Sequence, residues 1–327
     1  MVIYQEPIVL ACAADDLFAM PLAVTVRSVL DNLNRDRKVL LFILDGGIRE
    51  SNRRKILESF ASDRIEVQWM KPPSEALKKL YFTSDSNYPI AAYYRLLLPD
   101  LVPDRYKKIV YLDTDVIVVE DLAKLWSIPF GENYMLAAMD AANRSLSWPE
   151  HLQHLDLDGM GVSGDTKYLQ SGVLLIDLEK WRLDHISDRL IEFITDHLEL
   201  PYPDMDALNF VLAGKWGELD PRWNQIPAVY GFESWERSPY TQEELRNVVH
   251  DPYIIHYGDN PKPWERRCTH PKTSLWYDYL NRTAWAGWQV KALDHSVRLG
   301  RRIARRLWKV VNRGMLAGKS LTSSSKR

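Results

Sequence analysis

Short apolar runs alternate with helical patterns over the first 120 residues. Four of these runs are candidates for buried strands: Ile8 to Ala13, Val39 to Leu44, Ile65 to Trp69 and Ile109 to Leu112. Between them, Pro21 to Leu30 and Ser51 to Phe60 repeat their apolar residues at intervals of three and four, as amphipathic helices do. The alternation predicts an α/β domain with a mostly parallel sheet.

The pattern loosens after Ala141 into a long connection that bears Gly and Asp. It resumes with a predicted strand over Val173 to Asp177, a helix around Leu178 to His197 and a helix that opens near Asp204. Pro, Trp and Tyr are frequent in residues 216–264, which indicates ordered loops and short strands. Because neither a repeat nor a Gly/Ser linker divides the chain, we expect no second independent domain.

Composition excludes several classes of protein. The 327 residues are 46% hydrophobic and 26% charged, which suits a large folded core and not a disordered chain. The longest apolar runs fall far short of the roughly 20 residues that cross a bilayer. Cys12 and Cys268 offer no framework of disulfides, and the N-terminus lacks a secretory pattern. We therefore expect a cytoplasmic protein.

The formal net charge of -2 conceals an uneven distribution. Residues 298–327 carry ten Lys and Arg and no acid, whereas the preceding body holds 32 basic and 44 acidic residues. The excess of acidic residues before position 298 argues against nucleic acid as a partner. In the tail, Leu299, Ile303 and Leu307 recur at helical spacing among the cations, which predicts an amphipathic helix lying on an anionic membrane surface.

Two carboxylates follow the fourth predicted strand, in the sequence Asp113-Thr114-Asp115. Residues i and i+2 of an extended segment point the same way, roughly 6.6 Å apart, so both carboxylates can face one hard cation. His256 follows another apolar run as a candidate nitrogen ligand, and six residues later Lys262 supplies a cation suited to phosphate. A divalent ion offsets the charge on a departing diphosphate, so the sequence predicts a metal-dependent pyrophosphate site.

Six motifs, in this order along the chain, resemble those of glycosyltransferase family 8. They are Ala13 to Asp16, Tyr94-Arg95, Tyr111 to Asp115, Leu169 to Leu178, Asp204 to Asn209 and His256 to Trp264. Within the family the chain looks most like the bacterial lipopolysaccharide and lipo-oligosaccharide galactosyl- and glucosyltransferases. The resemblance implies a GT-A fold, with a Rossmann-like sheet and an interlocked acceptor-side lobe, and an enzyme that moves a hexose from a UDP-sugar with retention of anomeric configuration.

The resemblance also implies roles for eleven residues. Ala13 and Asp15 match positions that hold the uridine, and Lys262 matches a lysine on the diphosphate. Asp113, Asp115 and His256 match ligands of Mn²⁺, with Mg²⁺ as an alternative, and Thr114 lies between the two carboxylates. The predicted catalytic residues, which surround the donor sugar, are Arg95, Asp140, Gln170 and Asp204.

Three departures from the family pattern leave alternatives open. Leu17 and Phe18 stand where relatives carry polar residues near the nucleoside, Met205 stands where Gln is common, and Asp259 occupies a glycine position. Leu17, Phe18 and Met205 favour a nucleotide-sugar or glycan binding protein with little or no turnover. An Asp-nucleophile phosphohydrolase also begins with Asp-x-Asp, but it needs Thr or Val where this chain has Ile117.

We expect three regions: a GT-A domain over residues 1–270, a helical connection over 271–297 and the basic tail over 298–327. The expected acceptor is a saccharide or a lipid-linked oligosaccharide. Such an acceptor would lie at the inner face of the cytoplasmic membrane, where the tail would hold the enzyme.

Overall fold

The computed structural model describes residues 6–73 and 90–290, so the predicted membrane tail lies outside the described residues. The strands are β1 (Ile8–Ala14), β2 (Val39–Asp45), β3 (Ile65–Met70), β4 (Lys108–Leu112), β5 (Val116–Val118), β6 (Met135–Met139), β7 (Leu169–Asp177), β8 (Trp216–Glu218) and β9 (Ile254–His256). The α-helices are α1 (Ala19–Asn32), α2 (Glu50–Ser59), α3 (Leu98–Leu101), α4 (Leu122–Trp126), α5 (Leu178–Leu183), α6 (Ile186–Asp196), α7 (Pro203–Val211), α8 (Gln242–His250) and α9 (Thr273–Leu280). Short 3₁₀ helices include Ile90–Leu97 and Pro221–Asn224.

Seven strands of the described chain form one sheet in the order β3-β2-β1-β4-β7-β6-β8. Strand β7 runs antiparallel to its neighbours β4 and β6, and the other neighbouring pairs are parallel. The predicted mostly parallel α/β sheet is therefore confirmed. Its four predicted N-terminal strands are present, each with bounds within one residue of those expected from the sequence.

Strand β1 shows why the predicted strands are continuous apolar runs in the sequence. All seven of its residues are buried. Val9, Ala11 and Ala13 pack into one core cluster, whereas Leu10 and Cys12 pack into another. The alternation of the strand thus fills a core on each face of the sheet, which is the arrangement expected of parallel strands covered on both sides.

A separate two-stranded ribbon joins distant parts of the sequence. Strands β5 and β9 pair antiparallel, with Val116 opposite His256. Helix α1 anchors the start of β5, because Thr25 Oγ1 donates to the carbonyl oxygens of Thr114 and Val116 at 3.0 and 2.8 Å. The ribbon therefore fixes the Asp-x-Asp turn relative to a histidine about 140 residues later in the chain.

The single helix predicted around Leu178 to His197 is wrong. It is two helices, α5 and α6, separated at His185, which has a left-handed φ of 49°. Strand β6 and helix α8 were not predicted, although α8 begins with a capping box in which Thr241 and Glu244 satisfy each other's backbone N–H groups. Among the described residues, no helix combines the length and apolarity needed to cross a membrane.

Candidate active site

A cavity of about 740 Å³ opens at the carboxyl ends of β1 and β4. In open α/β sheets this edge is where ligands bind. Ten of the eleven predicted site residues line it: Ala13, Asp15, Arg95, Asp113, Thr114, Asp115, Asp140, Gln170, His256 and Lys262. The eleventh, Asp204, is fully buried behind Arg95.

Asp113, Asp115 and His256 form a cluster of candidate metal ligands. Their ligand atoms all lie within 4.8 Å of one another. Nε2 of His256 is 3.3 Å from Oδ1 of Asp115 and 3.9 Å from Oδ2 of Asp113. The turn between β4 and β5 supplies the carboxylates, and the end of β9 supplies the imidazole. Two carboxylate oxygens and one imidazole nitrogen are a donor set that suits a divalent cation.

Lys262 supplies positive charge at this cluster. Its Nζ donates to Oδ2 of Asp115 at 2.7 Å and to the carbonyl oxygens of Tyr257 and Gly258 at 2.6 Å. Burial alone would raise the pKa of Asp115, but the Lys262 ammonium, with the adjacent His256 ring, outweighs burial and holds that pKa well below its usual value. Asp115 is therefore a carboxylate at neutral pH, as a metal ligand must be.

Arg95 connects the metal cluster to the buried side of the cavity. The residue is 3% exposed and its side chain lies with Cζ 4.5 Å from the centroid of the Tyr111 ring. Nη2 donates to Oδ1 of Asp113 at 2.7 Å, and Nε lies 3.2 Å from Oδ2 of Asp204. Nη1 donates to the carbonyl oxygen of Ser171 at 2.6 Å. The guanidinium is thus held between two carboxylates.

Asp140 and Asp204 are the two carboxylates predicted to lie around the donor sugar, but their settings differ. Asp204 lies in the first turn of α7, where the helix dipole favours negative charge. Asp140 follows β6, and its Oδ1 accepts backbone hydrogen bonds from Ala142 and Asn143 at 2.8 Å. Burial raises the pKa of Asp140 to about 6, although these two hydrogen bonds act in the opposite direction. Its charge therefore changes close to neutral pH.

The residues predicted to bind the nucleoside lie at a local turn. Ala13 lies near the end of β1, and Asp15 follows that strand. Oδ1 of Asp15 accepts from the backbone N–H groups of Leu17 and Phe18 at 2.9 and 3.1 Å, which is an Asx turn leading into α1. The ring of Phe18 lines the cavity and makes an edge contact with Trp264, at a centroid distance of 5.8 Å.

The structure also brings two residues to the site that the sequence reasoning did not assign. Asn224 bridges Gln170 and His256, and Gly172 lies beneath the imidazole ring. A glycine inside a buried strand marks a close approach, so Gly172 had a detectable signal. Asn224 had none, because its neighbours in the site come from distant parts of the sequence.

Comparison with solved structures identifies the class of fold. The crystal structure of the galactosyltransferase LgtC in complex with donor and acceptor sugar analogues matches with a TM-score of 0.69 at 27% sequence identity. The match covers 84% of this chain and 96% of LgtC. The architecture is the GT-A fold, as predicted.

The chain belongs to glycosyl transferase family 8, whose profile matches residues 9–268. General stress protein A of Bacillus subtilis is 31% identical over 281 residues, which is 85% of this chain and 94% of that protein. The lipopolysaccharide 1,2-glucosyltransferase of Escherichia coli is 24% identical over 275 residues, covering 83% and 77% of the two chains. The predicted family is confirmed, and this excludes the phosphohydrolase alternative.

Proposed function

We propose that this chain is a retaining, Mn²⁺-dependent hexosyltransferase that moves galactose or glucose from a UDP-sugar to a saccharide acceptor. The observation that carries the proposal is the convergence of Asp113, Asp115, His256 and Lys262 at one wall of the cavity. Two carboxylates, an imidazole and an ammonium group suit a metal–diphosphate pair. The relatives named as a glucosyltransferase and a galactosyltransferase support the transfer of a hexose.

The described residues fit a divalent ion, because the three candidate ligands converge and open onto the cavity. Mn²⁺, or Mg²⁺ in its place, would offset the charge that develops on UDP as it departs. Lys262 lies next to the Asp115 carboxylate and would pair with diphosphate oxygens. Ala13 and Asp15, at the end of β1, would contact the uridine.

The sugar side of the cavity would orient the hexose. Asp140 lines the cavity and would accept a hydrogen bond from a sugar hydroxyl. Arg95 would fix the direction of the Asp113 carboxylate through the 2.7 Å hydrogen bond. Asp204, fully buried behind Arg95, would act through that guanidinium and not by touching the sugar.

Retention of configuration follows most simply if the acceptor oxygen attacks on the face from which UDP leaves. The departing phosphate would accept the acceptor's proton, the new glycosidic bond would form and the bond to UDP would break. Two observations support this path over double displacement. Asp204 is fully buried and paired with Arg95, and the side-chain oxygen Oε1 of Gln170 already accepts two hydrogen bonds.

Thermal unfolding with a panel of nucleotide sugars tests the proposal. We expect a shift in the melting temperature with UDP-sugars, enlarged by Mn²⁺, because a ligand that binds only the folded state stabilises it. Selectivity for GDP- or CMP-sugars would overturn the nucleotide assignment. UDP binding without hydrolysis or transfer from any donor would instead favour the binding-protein alternative, which Leu17, Phe18 and Met205 motivate.

The acceptor we propose is a growing saccharide of lipopolysaccharide or another cell-surface glycan, as the name of the Escherichia coli relative suggests. The GT-A domain at residues 1–270 would then carry the site, and the connection at 271–297 would join it to the tail. The basic tail at 298–327 would hold the enzyme on the cytoplasmic face of the membrane, since each Lys or Arg near anionic lipid contributes about 1 kcal/mol.

Sedimentation with anionic vesicles tests the tail. We expect the full-length protein to sediment and a protein truncated after residue 297 to stay in solution, with donor hydrolysis unchanged. The attraction should weaken as salt rises, because it is partly electrostatic. Equal sedimentation of the two proteins would show that the tail is not the anchor.

A further inference from the structure

The two nitrogens of His256 face different groups. Nε2 points to the metal cluster, 3.3 Å from Asp115, whereas Nδ1 lies 2.9 Å from Oδ1 of Asn224. His256 is 2% exposed and Asn224 is 5% exposed. The ring is therefore held from behind by a buried amide, and a buried amide must satisfy its own donors and acceptor.

The amide of Asn224 belongs to a chain of hydrogen bonds that starts at a backbone group. The N–H of Gly172 donates to Oε1 of Gln170 at 2.6 Å, and Nδ2 of Asn224 donates to the same oxygen at 2.6 Å. A backbone N–H can only donate, so the atom of Gln170 that it meets must be the oxygen. Asn224 must then present nitrogen to Gln170 and oxygen to His256. It follows that Nδ1 of His256 carries a proton.

We propose that Asn224 is a positioning residue that holds His256 with Nδ1 protonated, so that the lone pair of Nε2 is directed at the metal. The inference rests on the proposed function in one respect, the metal at Asp113, Asp115 and His256. The rest comes from the contacts. The backbone N–H of Gly172 sets the orientation of Gln170, Gln170 sets that of Asn224, and Asn224 sets the tautomer of the imidazole.

Backbone pairing keeps Asn224 beside the ring. The next residue, Gln225, accepts from the N–H of His256 at 2.8 Å through its carbonyl oxygen, and its own N–H donates to Ile254 at 2.9 Å. The segment that carries Asn224 thus pairs with β9, the strand that ends in His256. The distance between the two side chains is fixed by this pairing and not by the side chains alone.

Packing from β7 closes the other side of the ring. A Cβ added at Gly172 would lie 2.3 Å from Cε1 of His256 and 3.0 Å from Oδ2 of Asp113. Real Cβ atoms do not approach so closely, so the absence of a side chain at this position is what admits the ring. Gly172 therefore has two roles. Its N–H sets the donor–acceptor direction of the series of hydrogen bonds, and its small size allows His256 to occupy its position.

The experiment measures Mn²⁺ affinity in the full-length protein without donor, from the decrease of the free Mn²⁺ signal in electron paramagnetic resonance. We expect Asn224→Leu, which removes both hydrogen bonds at similar shape, to weaken binding about 10- to 100-fold, the usual effect of losing such a partner. Gln170→Leu should weaken binding less, because Asn224 can still accept from His256. Asn133→Ala is the matched control, since that half-buried amide donates to the carbonyl oxygen of Phe130, away from the cavity.

A second measurement does not depend on any variant folding well. Nitrogen-15 chemical shifts of the histidine rings, with Zn²⁺ as a diamagnetic probe, should show Nδ1 of His256 protonated and Nε2 bound to metal. Metal bound at Nδ1, or unchanged Mn²⁺ affinity in folded Asn224→Leu, would overturn the role of Asn224. His256→Ala separates the two proposals: if that change leaves Mn²⁺ affinity intact, the metal site of the proposed function is itself wrong.

Discussion

The two ends of the cavity are built by different means. At the proposed metal end, two segments far apart in sequence supply the Asp113 and Asp115 carboxylates and the His256 ring. Arg95 and Lys262 pair with the carboxylates, and the β5–β9 pairing places the histidine. At the proposed nucleoside end, Ala13, Asp15 and Phe18 come from one stretch of six residues, and the Asp15 carboxylate closes the turn by accepting two local N–H groups.

This difference predicts how each end tolerates substitution. A local turn keeps its shape through hydrogen bonds within a few residues, so neighbouring side chains can change without moving it. A network of buried charges depends on every member, because removing one leaves another without compensation. The departures at Leu17 and Phe18 fall at the tolerant end, and the metal cluster has none.

The largest effect should come from Arg95→Met. Removing this buried guanidinium takes the ion-pair partner from Asp204, which is fully buried, and we expect about 4 kcal/mol of lost stability. Urea denaturation measures the loss. The exposed Arg237–Glu233 pair supplies the control, since Arg237→Met should cost under about 1 kcal/mol. Adding Asp204→Asn should recover part of the loss; a loss as small as that of the control would refute the comparison.

Asp115→Ala should remove the chemistry. We expect hydrolysis of the UDP-sugar to fall at least about 100-fold, or about 2.7 kcal/mol in the barrier, when a ligand of the ion that offsets leaving-group charge is lost. Initial rates with saturating Mn²⁺ test this, and Asp63→Ala changes an exposed carboxylate elsewhere as the control. Activity above half that of the wild type would contradict the metal assignment.

Asp140→Asn should make stability and activity respond in opposite directions. The folded pKa of about 6 exceeds the usual 3.8, so the folded state keeps a proton that the unfolded state releases between these values. Wild-type stability should therefore fall as pH rises from about 4 to 6. Asn keeps an acceptor without the charge, so the variant should be more stable by about 2 kcal/mol at pH 7.5 and by nearly nothing at pH 4.

Chemical denaturation at the two pH values measures that difference in the free energy of unfolding. Activity gives the second readout, because the wild type should lose transfer below about pH 6 as the Asp140 carboxylate is protonated. A stability difference between the two proteins that does not change with pH would show that Asp140 keeps an ordinary pKa.

The local pattern of apolar and polar residues was enough to predict the first four strands and the first two helices. Strands β1 to β4 are bounded by polar residues and turns, and α1 and α2 show a clear helical period. The break between α5 and α6 was missed because the apolar spacing continues across it, while His185 adopts a left-handed conformation that no apolar pattern signals. Strand β8 has only three residues, too few for a periodic pattern.

The convergence of the candidate site residues was predictable where a motif marked them. Asp113, Asp115, His256 and Lys262 converge as the sequence indicated. The burial of Asp204 behind Arg95 was not predictable, because a first-turn carboxylate can face a ligand or an arginine and only packing decides. The link between Asn224 and His256 depends on the pairing of a loop with β9, which no local pattern encodes.

The smallest effect should come from restoring polar groups at the nucleoside end. Phe18→Tyr adds a hydroxyl to a ring that lines the cavity, and Leu17→Asn replaces an exposed apolar side chain. One new hydrogen bond contributes about 0.5–1.5 kcal/mol, so we expect UDP affinity, measured by titration calorimetry, to rise about two- to tenfold. Mn²⁺ affinity without UDP should not change, because the Asx turn at Asp15 is closed by hydrogen bonds from Leu17 and Phe18 within the turn itself. A change in Mn²⁺ affinity would show that the two ends of the cavity are coupled, and the contrast between a local turn and a buried network would no longer explain how this site is built.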